Sequence, residues 1–306
     1  MKIAVSSALA LLGTISLSAE QAWVSLSKVS GFRGYQGQVA LFGVKESPAD
    51  LRLQFQGEGA DAFEVVDAEK GENNLLQLKV AFNPPAKEGS YAAELVVGQG
   101  PEAQSVQLRG VATPALEGHN EATLHQIVSA LGMDVQTGSE ELSLDTKSKK
   151  IGSSLAVSQF EPVAGQVVTL TPLARYSPPG ETPFGFAVPD GKQLVLQKAG
   201  SLADTTAQRP DAHQTLRPPL ASGQRSVTFA NAPKRFGLFL KAHQYTSLTF
   251  PGKAEGATIE HTARIFPVTT FEGKSLENAY LVGFEEASNG DYQDAVFLIE
   301  GVQAVK

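Results

Sequence analysis

Between Asn278 and Ile299 the chain reads NAYLVGFEEASNGDYQDAVFLI, and Glu285, Glu286, Asp291 and Asp294 crowd four carboxylates into one short loop. Two apolar, strand-like runs, Tyr280–Phe284 and Ala295–Ile299, flank that loop, and Asn289-Gly290 supplies a turn. Strand, turn and strand predict a hairpin that draws the carboxylates to one end. Carboxylates held that close repel by roughly 1–4 kcal/mol per pair, depending on the local dielectric. A bound cation relieves the repulsion; so do protonation and exposure to water. Calcium takes roughly six to eight oxygen ligands, and this loop offers carboxylates, the amides of Asn289 and Gln293, and backbone carbonyls. Glu285, Glu286, Asn289, Asp291 and Asp294 are therefore the candidate calcium ligands. The competing reading is a solvated acidic tip in which one carboxylate accepts backbone N–H bonds to hold the turn.

The spacing excludes an EF-hand. With Glu285 at the first loop position, Asn289 and Gly290 fall correctly at the fifth and sixth, but Ala287 takes the third and Val296 the twelfth. Arg264 lies close to a strand start and is expected to compete with a cation by pairing with the acidic loop. The histidines His119, His125, His213, His243 and His261 form no HExxH and no close metal spacing. Gly-x-Ser-x-Gly, the P-loop and the dinucleotide fingerprint are absent, and the chain has no cysteine, which removes thiol chemistry. No catalytic residue is assigned. The expectation is a non-catalytic protein, with a hydrolase of extracellular polysaccharide as the enzyme alternative, because carboxylate pairs converge from distant positions. A lectin-like module is the other alternative. Tyr176, Tyr245 and Tyr292 fall in or beside predicted loops and are the candidate sugar-stacking rings.

The elements that must position these residues are mostly strands. From Trp23 to Ala112 the chain alternates or runs apolar over Val39–Val44, Leu51–Phe55, Phe63–Val66, Leu75–Phe82, Tyr91–Val97 and Ser105–Val111, with Gly- and Pro-rich punctuation. This predicts an antiparallel sandwich over 20–113. Thr113-Pro114 through Gly118 reads as a linker. Asn120 is expected to cap a helix whose Leu124, Ile127, Val128 and Leu131 recur at helical spacing, with Gly132 ending it. The remainder of 119–306 reads as about nine further strands, from Ser154–Phe160 to Ala295–Ile299, which suit a larger, jelly-roll-like double sheet. The fold class expected is all-β: an immunoglobulin-like sandwich, then a jelly-roll-like sandwich with one short helix.

At the start, Lys2, the apolar run Ile3–Leu17 and the small residues Ser18 and Ala19 have the order of a secretory signal peptide, 1–19, cleaved after Ala19 or Ala22. No second long apolar run follows, so the expectation is a secreted or periplasmic protein that does not insert into a membrane. An exported chain without cysteine has no disulfides, which leaves its core, and any bound metal, to stabilise it. The formal net charge is −7 and no Lys/Arg cluster rises from it, so nucleic acid is a poor partner. An extracellular glycan or a cell-surface protein is the partner class that remains.

Two resemblances add to this reading. The run VAFNPPAKEGSYAAELVV, Val80–Val97, followed by VQLRGVA, Val106–Ala112, resembles the last three strands of bacterial immunoglobulin-like domains of the choice-of-anchor type. That resemblance implies fold and little about function. The order ARYS, FGF, FGLFL, HTARIFP and NAYLVGFEEASNGDYQDAVFLI is similar to a C-terminal domain family of unknown function in secreted bacterial proteins. Its usual signature is Gly-Phe-Glu-Asp, a short gap, then Gly-Asp-x-Asp/Gln-Tyr/Asn-Asp-x-Val. Carried over, Glu285, Asp291 and Asp294 match the acidic positions, Glu286 replaces the common Asp, and Gln293 stands where an acid or an amide occurs. The likeness runs from about Glu117 to the end and implies a calcium-binding or attachment module.

Overall fold

The computed structural model describes residues 21–26, 35–83, 88–113, 120–207, 212–286 and 288–306, with the backbone alone for 21–26 and 35–38. The expected leader Met1–Ala19, the linker 114–118 and the Pro84-Pro85 turn lie outside the described residues. Among the described residues the chain is mostly β, with several antiparallel sheets and one α-helix.

The N-terminal strands are β1 (Gln21–Leu26), β2 (Tyr35–Leu41), β3 (Leu53–Gln56), β4 (Phe63–Lys70), β5 (Leu76–Phe82), β6 (Gly89–Val97) and β7 (Gln104–Thr113). They form two sheets, in order β1-β7-β6-β3 and β2-β5-β4. Along β5, Leu76, Leu78, Val80 and Phe82 are buried while Gln77 and Lys79 are exposed, the period-two pattern of a strand with one face on a core. That core joins both sheets, through Val39, Leu78 and Val80 from one and Leu95, Val106 and Leu108 from the other. β1 was not evident in the sequence and pairs parallel with β7, unlike every other pairing in this part.

Helix α1 (Leu124–Ala130) starts later than Asn120 implies. Thr123 is its N-cap: the hydroxyl accepts from the Gln126 N–H at 3.1 Å and the Gln126 side chain accepts from the Thr123 N–H at 3.0 Å. This reciprocal capping box satisfies two orphan donors. α1 touches the N-terminal sheet, where Ser90 donates to the Gln126 carbonyl at 3.0 Å and Val111 joins the apolar cluster of Ile127 and Val128.

The C-terminal strands are β8 (Gln159–Pro162), β9 (Val168–Tyr176), β10 (Thr182–Asp190), β11 (Gln193–Leu202), β12 (Gln214–Leu216), β13 (Val227–Phe229), β14 (Gly237–Ala242), β15 (Tyr245–Leu248), β16 (Ala263–Pro267), β17 (Thr270–Phe271), β18 (Lys274–Ser275), β19 (Ala279–Phe284), β20 (Ala295–Glu300) and β21 (Val302–Val305). The central sheet runs β12-β9-β20-β19-β16, with β13 also on β9, and a second runs β11-β10-β14-β15; β8 pairs with β21 and β17 with β18. One face of the central sheet packs on the second sheet through a Phe-rich core, in which Phe184 and Phe297 rings lie 4.8 Å apart. The other face packs on α1 through Leu173, Phe266, Leu281 and Leu298. A strand covered on both faces has no reason to alternate, and Ala295–Ile299 is buried at every position. The apolar runs that flank the acidic loop are thus the two central strands of a doubly covered sheet.

Candidate metal centre

β19 and β20 pair in register from Ala279–Glu300 to Phe284–Ala295, leaving residues 285–294 as the connecting loop. The loop folds back on the sheet instead of projecting as a tight Asn-Gly turn. Gly283 makes this possible, since a Cβ there would lie 2.3 Å from the Tyr292 carbonyl oxygen. Tyr292 itself adopts a left-handed backbone, φ 58°, at a cost of about 1–2 kcal/mol. Its ring and hydroxyl secure that conformation. The hydroxyl's single proton is shared between the carbonyls of His261 (3.0 Å) and Asp145 (3.2 Å), and the Arg264 guanidinium lies 4.7 Å over the ring.

Burial overturns the solvated part of the competing reading, while the turn-holding carboxylate it calls for is present in Glu285. Glu285, Asp291 and Asp294 are 0%, 5% and 8% exposed. One carboxylate oxygen from each lies within 4.8 Å of the others, an arrangement that could hold a metal ion. Three backbone bonds fix the geometry. Glu285 Oε2 accepts from the N–H groups of Gly290 (2.7 Å) and Asp291 (3.2 Å), and Asp294 Oδ2 accepts from the Glu286 N–H at 2.5 Å. The Glu285 main chain is held from outside the loop, its N–H by the Thr262 carbonyl and its C=O by the Ser247 hydroxyl.

Electrostatics here are unfavourable for three charges alone. At an effective dielectric near 20, each ionised pair at this separation repels by about 3–4 kcal/mol. Burial first, then the Glu285 charge, pushes the Asp291 carboxyl up to about 6. Burial, then Glu285, Asp291 and Glu286, holds Asp294 well above the usual carboxylate range. Only neighbouring N–H groups act the other way: the Glu286 N–H bonded to Asp294, and the Gln293 N–H with the Asn289 and Gln293 side-chain amides close to Asp291. None of the groups near Asp291 closes a well-aligned hydrogen bond on its carboxylate: both Asp291 oxygens, like both amide atoms of Gln293, are buried with no hydrogen-bonding partner. Such orphaned oxygens cost about 1–3 kcal/mol each. A cation answers all of them at once. A cavity of about 20 Å³ lined by Asp291, Tyr292, His125 and Glu141 reaches the cluster at Asp291 and has room for one water.

The other expected ligands are placed differently. Glu286 stands outside the three-carboxylate group and faces the charge of Arg175 on β9, whose pKa burial lowers and Glu286 partly restores. Arg175 donates to the Ser177 hydroxyl and to the carbonyls of Ala203, Pro178 and Gly180. Asn289 is exposed, and its side-chain oxygen accepts from the Asp291 N–H at 3.1 Å, so it shapes the loop. Arg264, expected to pair with the acidic loop, gives its hydrogen bonds to the carbonyls of Ser148 (2.6 Å) and Lys149 (3.0 Å). Its competition with a cation falls away. These contacts strap residues 145–149 over the loop, aided by the Asp145 N–H donating to the Gly290 carbonyl at 3.2 Å. Nothing in the sequence marks that strap, since its backbone does the bonding.

The expected stacking rings are corrected in part. Tyr176 and Tyr292 are each 2% exposed, so neither presents a face to solvent. Tyr176 packs in the core beside α1, and Tyr292 is enclosed by the strap. Tyr245 alone is half-buried.

Comparison with models of known protein families finds no match to this chain, and comparison with curated proteins finds none either.

Proposed function

We propose that this chain is an exported, non-catalytic binding or surface-associated module whose C-terminal loop is locked by one calcium ion at Glu285, Asp291 and Asp294. The observation that carries the reading is the burial of three carboxylates within 4.8 Å, with both Asp291 oxygens unpartnered. Hard oxygen donors, a buried cluster and neighbouring carbonyls suit calcium better than magnesium, whose small octahedral shell dehydrates reluctantly. The buried amide of Gln293 is the natural neutral ligand beside the three carboxylates. Export rests on the order of residues Met1–Ala19, and mass spectrometry of exported protein should find an N-terminus within Ala19–Trp23. Isothermal titration with calcium tests the site. One ion per chain is expected, lost in Asp291→Asn and retained in the exposed control Asp61→Asn; absence of binding at millimolar calcium contradicts it.

A lectin-like reading has one specific support. A groove of about 830 Å³ on the N-terminal sheet is lined by Tyr91, Gln56, Gln107, Glu94 and Arg109, polar and aromatic groups of the kind that hold sugars. A glycan array on the wild type and on Tyr91→Ala separates this reading from a scaffold role.

A further inference from the structure

β11 is an edge strand of the sheet β11-β10-β14-β15. Among the described residues, nothing pairs with its outer side from Gln193 to Lys198. The Leu202–Leu220 bridge and the bonds of Ser201 and Ala203 engage only its far end. Open edges present unpaired N–H and C=O groups, and natural sheets blunt them with proline, bulges or inward charges. Leu194, Val195 and Leu196 carry none of these, with Val195 44% and Leu196 42% exposed, although Lys192 and Lys198 flank them and the register with β10 shifts just beyond, at Ala199. The segment Gln193–Gln197 reads QLVLQ, a palindrome about Val195.

Backbone geometry gives the palindrome a use. The two-residue turn Gly191-Lys192 closes on the pair Asp190–Gln193. Gln193, Val195 and Gln197 then direct their backbone groups at β10, while Leu194, Leu196 and Lys198 direct theirs outward. We propose that β11 is a self-pairing edge: two copies of this chain join antiparallel about a two-fold axis at Val195, merging two four-stranded sheets into one of eight strands. Val195 meets its counterpart as a non-hydrogen-bonded pair, Leu194 and Leu196 exchange the new hydrogen bonds, and Gln193 meets Gln197. An isologous contact requires each residue to suit its symmetry mate, and a palindrome meets that condition along the strand. The leucines share a sheet face with Ala187 and Pro189, their cross-strand neighbours on β10. That face continues into the small apolar cluster of Leu194, Ala187, Phe239, Leu248 and Phe250, so pairing joins two apolar patches. The outermost pair, Lys192 with Lys198, sets like charges opposite each other, and Lys198 is already engaged by Glu181 at 3.3 Å. An edge this short buries less than the roughly 1,200–2,000 Å² of stable interfaces, so the dimer is weak and concentration-dependent.

The chain has no cysteine, so Val195→Cys introduces a lone thiol at the two-fold axis. Under mild oxidation this variant should form a covalent dimer at least about tenfold faster than the exposed control Asp61→Cys, because pairing raises the effective thiol concentration. Sedimentation of the wild type should show a monomer–dimer equilibrium that Leu196→Lys abolishes, with unchanged circular dichroism. Equal cross-linking rates for the two cysteine variants overturn the proposal. So does a wild-type dimer whose Val195→Cys variant does not cross-link, which puts the interface elsewhere. A chain that stays monomeric but binds polyglutamate beside Lys192 and Lys198 assigns the edge to an acidic segment, and overturns self-pairing as well.

Discussion

The Glu286 N–H donates to Asp294 Oδ2 at 2.5 Å, so the two ends of the acidic loop are joined by one of the cluster's own carboxylates. That bond makes Asp294 structural and electrostatic at once. Replacing it with alanine removes an acceptor as well as a charge, whereas asparagine keeps the acceptor. The variants that discriminate are therefore the isosteric ones.

The pH dependence follows from the raised carboxyls. Asp291 rises from 3.8 to about 6 in the folded protein, and Asp294 goes well above its ordinary value. Without metal, the folded state binds more protons than the unfolded chain between about pH 4 and 6, so stability falls as pH rises through that window. Asp291 alone accounts for up to about 3 kcal/mol of the fall, and Asp294 extends the window upward. In calcium, protons compete with the ion, so the increment due to calcium grows as pH rises through the same range. Denaturant unfolding at several pH values, with calcium and with chelator, should give curves that diverge toward neutral pH. Parallel curves would mean that the ion and these protons do not share a site.

Arg175 and Glu286 form a second electrostatic unit behind the cluster. Arg175→Met removes the cation that opposes Glu286 and strands the carbonyls of Ala203, Pro178 and Gly180, so it is expected to cost at least about 1–3 kcal/mol. Adding Glu286→Gln should recover at least about 1 kcal/mol of that loss, a coupling that a double-mutant cycle measures directly. Strict additivity would show that the two side chains act independently.

Tyr292 connects the loop to the strap. Tyr292→Phe keeps the ring beneath Arg264 and removes the hydroxyl's bonds to the carbonyls of Asp145 and His261. The expected loss is about 1 kcal/mol. Amide exchange should accelerate at residues 145–149 while the central strands keep their protection. Unchanged exchange in the strap would show that the Arg264 contacts alone hold it.

The sequence made the central strands of the site plain and hid its burial. AYLVGF and AVFLI are continuous apolar runs because the sheet is covered on both faces, and such runs survive any reading of periodicity. β12 and β15 are short and half polar or more, β21 is only four residues long, and they become strands because β9, β14 and β8 lie alongside. The helix start was present as Thr123-x-x-Gln126, yet Asn120 offers an equally good cap residue and tertiary packing decides between them. Four carboxylates in ten residues left an ion site and a solvated tip both open. What buries them is contributed from far along the chain, by Thr262, Ser247 and the carbonyls of residues 145–149. Tyr176 and Tyr292 were misplaced for the same reason, since a position beside a loop says nothing of what folds over it.

The central claim is that one ion binds the folded loop at Glu285, Asp291 and Asp294. The most direct measurement is the thermal unfolding of wild type and Asp294→Asn in calcium and in chelator. An ion that binds only the folded state stabilises it by about 2.7 kcal/mol at a hundredfold excess over Kd. The account predicts a Tm that rises with calcium and falls with chelator in the wild type. Asp294→Asn should lose that response, yet in chelator be at least as stable as wild type, because one repelling charge is gone. A wild-type Tm that is the same in millimolar calcium and in chelator would contradict the account, and the cluster would then be a set of buried carboxyls held together by protons.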